Sequence, residues 1–423
     1  MTLPLARHWR NVGWILSVEV FWGVSLALIS MVAILPVFLT QLGASNAVIG
    51  VLPVIWILSN AIPGVFAAHL TGRLTHRKRA VILLHVVAAI PWLFLAAYFG
   101  LFGPHHAETA ILVFLLAWGG AWVWMGLTIP VWINFIGKVT RPELRARSFG
   151  TIFFFQTLMG AIGGWVGSRV IGGGLAFPAN YALGFFVAAI CMAAGALFFV
   201  PVAEEEGAVS EPGPALSTIR RHTREILSDR GGIRIYLGAL ILSTGSYLLA
   251  TYYPIYAQAR FGLKARESAL FTAVCMGGSM LGSVLTGVVG DRFGYTKVAV
   301  IALAALTAGL GFAVWGTSTA FYYATAFALG VFIVADRLAL YNLSMAFSPH
   351  EDNTAYLGII PALVAPITAV VAGSSGAFID RFGFHPVALA GLAAAIVALY
   401  LVVSRLKEPR FSHAGKRAAA DYL

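Results

Sequence analysis

Gly287-Val288-Val289-Gly290-Asp291-Arg292-Phe293-Gly294 and Gly376-Ala377-Phe378-Ile379-Asp380-Arg381-Phe382-Gly383 spell one pattern twice, 89 residues apart. Each copy closes a long apolar run and is followed at once by another. Upstream, Gly164-Trp165-Val166-Gly167-Ser168-Arg169 is a weaker copy and His69-Leu70-Thr71-Gly72-Arg73 a degraded one. A second register agrees. Pro36 lies within Leu35-Pro36-Val37-Phe38-Leu39-Thr40-Gln41, and Pro254 within Tyr253-Pro254-Ile255-Tyr256-Ala257-Gln258. The 218 residues from Pro36 to Pro254 equal the distance from His69 to Gly287. Two separate anchors with one offset argue for duplicated halves, each built from three-segment units.

The solvent around these segments follows from composition. Hydrophobic residues make up 59% of the 423, charged residues 11%, and the mean hydropathy is +0.85. Soluble domains carry about 25% charged residues, so a chain this poor in charge points to lipid. In lipid every backbone polar group needs an internal partner, which leaves helices or closed barrels. Barrel strands alternate apolar and polar residues. Here the runs are long and evenly apolar, as in 81–102 and 298–314. Runs of about 20 residues match a helix crossing a core of roughly 30 Å. The 45 glycines and 18 prolines fit membrane helices, where both are frequent.

The sequence predicts twelve spans: 13–40, 46–70, 80–102, 109–137, 148–171, 179–201, 234–259, 267–290, 296–316, 319–346, 355–378 and 386–405. The fold class expected is an all-α integral membrane protein of two pseudo-symmetric six-helix halves. Residues 1–201 form the first half, and 234–423 the second half with a cytoplasmic tail. Residues 202–233 are a cytoplasmic linker with one amphipathic helix near Leu216 to Leu227. With the N-terminus placed in the cytoplasm, 22 of the 28 Lys and Arg fall in inner segments and five in outer loops. Arg337, inside span ten, is the remaining one. That asymmetry favours this orientation and assigns the net charge of +11 to topology and anionic lipid headgroups rather than nucleic acid. The expected location is the cell inner membrane, multi-pass, with both termini cytoplasmic. The first apolar stretch is too long for a cleavable leader. Cys191 and Cys275 lie in apolar runs, so no disulfide framework is expected.

Gly287 to Lys297 resembles the loop motif of major facilitator transporters, Gly-x-x-x-Asp-Arg-x-Gly with following basic residues. It falls between spans eight and nine, where that family carries its second copy. Pro142-Glu143-Leu144-Arg145-Ala146-Arg147-Ser148-Phe149-Gly150 is similar to the family's loop between spans four and five. The span count and repeat period extend the resemblance over the whole chain. It implies twelve helices, a small-molecule substrate and alternating access. It also implies that Gly287, Asp291, Arg292 and Gly294 form a gating latch. In that latch Gly287 and Gly290 permit close helix approach, and Asp291 accepts from a neighbouring helix N-terminus. The first-half copy departs from the motif: Arg73 stands at the acid position and His69 at the first glycine. The family's span-four arginine has no counterpart in 109–137. Met159-Gly160-Ala161-Ile162-Gly163-Gly164 lacks the proline of the antiporter pattern.

Ionisable residues inside spans are costly and mark functional sites. In span ten Asp336 and Arg337 are adjacent, so they point about 100° apart. Arg337, Tyr341 and Ser344 share one face by their spacing. Arg337 lies 12 residues before Pro349, roughly 18 Å along a helix and deep for easy snorkelling. It is a candidate for holding an anionic or polar substrate group, with Asp336 its counter-charge or a protonatable carrier. Glu19 in span one is the other deep acid and a candidate proton carrier. By resemblance, span ten lines the central cavity and span-one acids serve proton coupling. Asn60, Asn134, Gln156 and Asn342 are polar groups within spans, suited to bonding neighbouring helices; Asn60 and Gln156 are taken as pathway candidates. Trp118 and Trp122 in span four, with Tyr247 and Tyr253 in span seven, could line a pocket. Trp132 and Tyr256, near span ends, read as interfacial residues. The outer-loop pair His105 and His106 with Glu108 is too weak to assign a metal site.

The function expected is a secondary transporter, proton coupled and monomeric. No Walker lysine motif supports ATP hydrolysis, and no cofactor is implied. An integral-membrane enzyme would need clustered catalytic groups. The chain shows no paired carboxylates within a span, no nucleophile elbow and no His-rich helix. A transporter-shaped sensor or assembly factor is the remaining alternative.

Overall fold

A computed structural model describes residues 3–31, 34–44, 46–71, 74–103, 106–171, 175–206, 215–229, 231–250, 253–262, 265–350 and 353–409. Arg73 and His105 lie outside them, as do the side chains of Ser168, Arg169 and Asp380. The described chain is helical throughout. The first half runs α1 (Leu5–Leu28), α2 (Ile34–Gln41), α3 (Asn46–Thr71), α4 (Lys78–Val87), α5 (Ile90–Ala97), α6 (Ala107–Val139), α7 (Arg145–Ile171) and α8 (Ala179–Ala196). The linker carries α9 (Ala215–Ser228). The second half runs α10 (Gly232–Ala250), α11 (Tyr253–Phe261), α12 (Ala265–Phe293), α13 (Tyr295–Trp315), α14 (Thr319–Phe347), α15 (Thr354–Phe382) and α16 (Phe384–Arg405).

Among the described residues ten stretches are long and apolar enough to cross a membrane, and a shorter one, Val51–Ala67, lies within α3. Span seven is met by α10 followed by α11. Prolines shape the helices without ending them. Pro53, Pro63, Pro130, Pro361 and Pro366 sit inside α3, α6 and α15, which membrane helices tolerate because neighbours re-satisfy the freed groups. Span three is α4 and α5 in series, broken at Ala88 and Ala89 just before Pro91, whose missing N–H cannot continue the ladder. It ends in a wider turn at Tyr98–Phe102. The two strong octapeptides end alike. Gly294 and Gly383 have φ of +95° and +80° and each caps the following helix, α13 or α16. A side chain would strain that one-residue turn.

The chain forms two compact units. One comprises Pro4–Thr140 with Phe155–Thr218, the other Arg141–Phe154 with Ile219–Leu423. Thus α7 gives its first turns to the second unit and its remainder to the first. Within the first unit α3 packs on α6, α1 on α8, α5 on α8 and α4 on α6. Within the second, the corresponding spans pair the same way: α12 on α14, α10 on α16, α13 on α16 and α13 on α14.

Single contacts repeat as well. Ser25 Oγ donates to Ala188 O at 2.9 Å, and Ser246 Oγ to Gly391 O at 2.8 Å, binding spans one to six and seven to twelve. Gly126 in α6 lies so close to α3 that a Cβ would run into Asn60 O, and Gly330 in α14 so close to α12 that a Cβ would run into Cys275 O. Both are backbone contacts that only glycine permits, the means by which membrane helices gain dispersion energy without a hydrophobic drive. Large apolar side chains such as Leu101, Leu116, Trp165, Val370 and Val403 point outward. Lipid is the solvent in which such a surface is stable. Cys191 and Cys275 are free thiols, half-buried.

Candidate functional site

In the first unit, α1 and α7 approach through glycines. A Cβ on Gly23 would strike Gln156 O, and one on Gly163 would lie 2.7 Å from Val24 Cα. This close crossing brings Glu19, 3% exposed, against the Gln156 side chain, whose Nε2 donates to Glu19 Oε2. The pair joins two candidates read separately from the sequence. Asn60 is half-buried on α3. Trp118 is 1% exposed, with its indole N–H donating to Leu52 O at 3.3 Å. Its ring meets Trp92 and Trp122 edge-on, at 6.0 and 5.4 Å, and Trp122 meets Trp56 at 5.8 Å. Trp118 is therefore committed to packing, while half-buried Trp122 is the more accessible ring. Trp132, expected at an interface, is instead buried beside His85, with ring centroids 6.5 Å apart. Its place in the last turns of α6 does not decide its depth; the helix packs that face inward.

In the second unit, Asp336 and Arg337 are both half-buried on α14. The Arg337 guanidinium lies 5.2 Å from the centroid of the Phe153 ring, a cation–π distance. Tyr341, one turn on, meets Phe149 at 6.1 Å and Phe153 at 6.3 Å. Tyr247 on α10 is within electrostatic range of Asp336, Arg337 and Cys275, and its ring lies 5.3 Å from Phe332. Tyr236 also senses Asp336. Asp336, Arg337, Tyr247 and Tyr341 thus form one neighbourhood bounded by the first turns of α7. Tyr253 does not join it. It is 1% exposed in an apolar cluster with Tyr322 and Phe384. Ser344 and Asn342 are fully buried, and Asn342 Nδ2 turns back to Leu338 O at 2.8 Å.

The octapeptide loop makes a defined contact. The Asp291 carboxylate accepts from Ala146 N at 2.9 Å and Arg147 N at 3.1 Å, capping the start of α7. Arg147 Nε lies 3.5 Å from Asp291 Oδ2, whereas Arg292 is exposed. Gly287 and Gly290 make room: a Cβ on Gly287 would sit 3.3 Å from Ala146 O, and one on Gly290 would meet Ala146 Cβ at 2.5 Å.

Sequence reasoning passed over three groups. Glu204 Oε1 and Oε2 accept from Arg77 N and Lys78 N at 2.8 and 2.9 Å, capping α4. Glu408 Oε2 accepts from Thr296 N at 2.8 Å, capping α13 in the same manner. Arg77, counted as a loop cation, is 2% exposed and its Nη1 donates to Asn134 Oδ1 at 2.6 Å. The signal was present: acids stand a few residues after each half's last span, Glu204 to Glu206 after the sixth and Glu408 after the twelfth. On α9, outside the spans, burial lowers the His222 pKa from its ordinary value, with the neighbouring Glu225 opposing.

Asp291→Ala removes two charge-assisted caps and should lower stability by about 1 kcal/mol, within the range for cap loss. Asp291→Asn should retain part of it, and Arg292→Ala should leave it unchanged. Thermal unfolding in detergent checks the order; equal midpoints for Asp291→Ala and wild type would show that the cap contributes nothing.

Duplicated sets of apolar helices, with charged groups held inside the spans and a capped loop between α12 and α13, are the marks of a multi-pass membrane transport protein. The chain belongs to the Major Facilitator Superfamily, whose description matches residues 14–360 and 235–421. It is similar in fold to the human organic anion transporter MFSD10 (TETRAN), at 13% identity and a TM-score of 0.65. That match covers 95% of this chain and 100% of the other. No curated protein matches it in sequence.

Proposed function

We propose that the chain is a secondary active transporter that moves a small polar or anionic solute by alternating access, with the proton as coupling ion. The observation that carries this reading is the Asp336–Arg337 pair, set mid-helix in α14 beside Tyr247, Phe153 and Tyr341. A half-buried guanidinium over an aromatic ring offers planar donors to a carboxylate or phosphate group. Burying such a charge among apolar spans is expensive unless it is used. Asp336 balances the arginine when no solute is bound.

Glu19 with Gln156 is the proposed proton station. A carboxyl that is 3% exposed and accepts from the Gln156 amide can exchange a proton when the path reaches it. The basic segments, Arg77 to Arg79 and Arg141 to Arg147 among them, are placed at the cytoplasmic face, as are both termini. The protein works as a monomer in the inner membrane, with anionic lipid along that face.

Glu19→Gln should abolish the pH dependence of uptake in proteoliposomes while leaving solute binding within a few fold. An unaltered pH profile would remove Glu19 from coupling. The solute class is tested by thermal stabilisation of purified protein: carboxylate- or phosphate-bearing compounds should raise the midpoint and neutral analogues should not. Stabilisation by neutral compounds alone would overturn the anionic assignment. Binding without flux under any gradient would identify a sensor instead.

A further inference from the structure

We infer that His222, Glu225 and His350 form a binding site for a borderline divalent cation of the zinc class, tying the linker helix α9 to the loop between α14 and α15. His222 and Glu225 are three residues apart on α9, so they share a face. His350 reaches the same carboxylate from three residues beyond the end of α14. His222 Nδ1 and His350 Nε2 each stand 3.3 Å from one oxygen, Glu225 Oε2. The three ligand atoms all lie within 4.8 Å of one another.

The distances bear on the choice between a hydrogen-bonded cluster and a metal site. An N–H···O bond prefers 2.7–3.2 Å, and both contacts are longer. Zinc bonds nitrogen and carboxylate oxygen at about 2.0–2.1 Å, and a tetrahedron with such bonds has edges of about 3.3 Å. Two of the three edges therefore already have the spacing of a tetrahedral zinc site. The third, between the imidazoles, is the one to close, and His350 is free to do so, its side chain being 42% exposed against 10% for His222. The imidazoles meet edge-on at 5.1 Å, which leaves their nitrogens convergent rather than stacked.

The surroundings suit the same reading. Two imidazoles and one carboxylate make a three-ligand set, the kind that leaves a fourth position for water. Tyr356 stands 6.3 Å from both rings and within electrostatic range of Glu225, the place a supporting group takes beside a metal site. The neighbouring cations Arg221 and Arg224 are exposed on α9, where solvent and salt screen their charge. Nitrogen-rich donors select zinc, copper or nickel over magnesium and calcium.

The test uses the full chain, purified without a histidine tag and stripped with chelator, then titrated with zinc chloride by calorimetry and assayed for bound metal. Wild type should bind one equivalent, with magnesium chloride giving no signal. His350→Ala, on an exposed loop, and Glu225→Gln should each weaken that binding at least 10-fold while melting near wild type in the metal-free state. Absence of an equivalent in wild type would overturn the site, as would retention of full affinity in both variants. Should Glu225→Gln fail to fold, His350→Ala alone decides.

Discussion

Replacing Arg337 with alanine should reduce uptake to the level of empty liposomes while the protein still inserts and purifies. Arg337 is the charged donor of the second unit's polar neighbourhood, set over Phe153 at 5.2 Å. Hydrogen bonds to a charged group contribute about 1.5–3 kcal/mol each. Loss of a bidentate contact therefore weakens solute affinity by about 100-fold or more, since 1.4 kcal/mol is tenfold. Arg337→Lys keeps the charge but not the planar fork and should fall between. Asp336→Asn separates the roles: it removes the counter-charge and leaves the donors, so binding should survive where Arg337→Ala loses it. Wild-type flux with unchanged affinity in Arg337→Ala would exclude the residue from the pathway.

The second large effect concerns folding. Gly330→Leu should eliminate most folded protein. A Cβ at Gly330 would collide with Cys275 O and come within 2.9 Å of Ser279 N, and both are backbone atoms of α12 that cannot rotate away. Overpacking generally costs about 1–3 kcal/mol where side chains can yield; here the helices must part. Parting also strains the bond from Ser279 Oγ to Gly330 O, 2.9 Å long. Gly277→Leu is the control: it lies on α12, the helix that Gly330 packs against, is exposed, and has nothing within 4 Å of a new Cβ. Size-exclusion profiles of the two variants check this. A monodisperse Gly330→Leu peak at wild-type yield would show that α12 and α14 do not need their contact.

Span positions were legible because lipid imposes a length and a composition on each helix. The turns at Gly294 and Gly383 were legible too, since a repeated octapeptide between two apolar runs leaves little else for the chain to do. What the sequence concealed is helix rotation. A helix that is apolar all round carries no stripe to say which face meets a neighbour. Trp118 and Tyr253 thus looked like pocket residues and are packed, and Trp132 looked interfacial and is buried beside His85. Glu204 and Glu408 read as linker and tail acids, because their partners, the first amides of α4 and α13, lie more than a hundred residues away. Glu19 and Gln156 were each singled out as polar residues in spans, but only the glycine-lined crossing of α1 and α7 joins them. His222 and Glu225 stand three residues apart on α9, and His350 completes the cluster only through the fold.

The central claim is that a solute crosses the membrane through this chain by way of Arg337. Entrance counterflow tests it most directly. Proteoliposomes are loaded with an unlabelled anionic solute that stabilises the purified protein, then diluted into trace label. Wild type should accumulate label above its equilibrium level and then lose it, and Arg337→Ala should track empty vesicles. Label that never exceeds equilibrium in wild type, although the solute binds, would contradict the account.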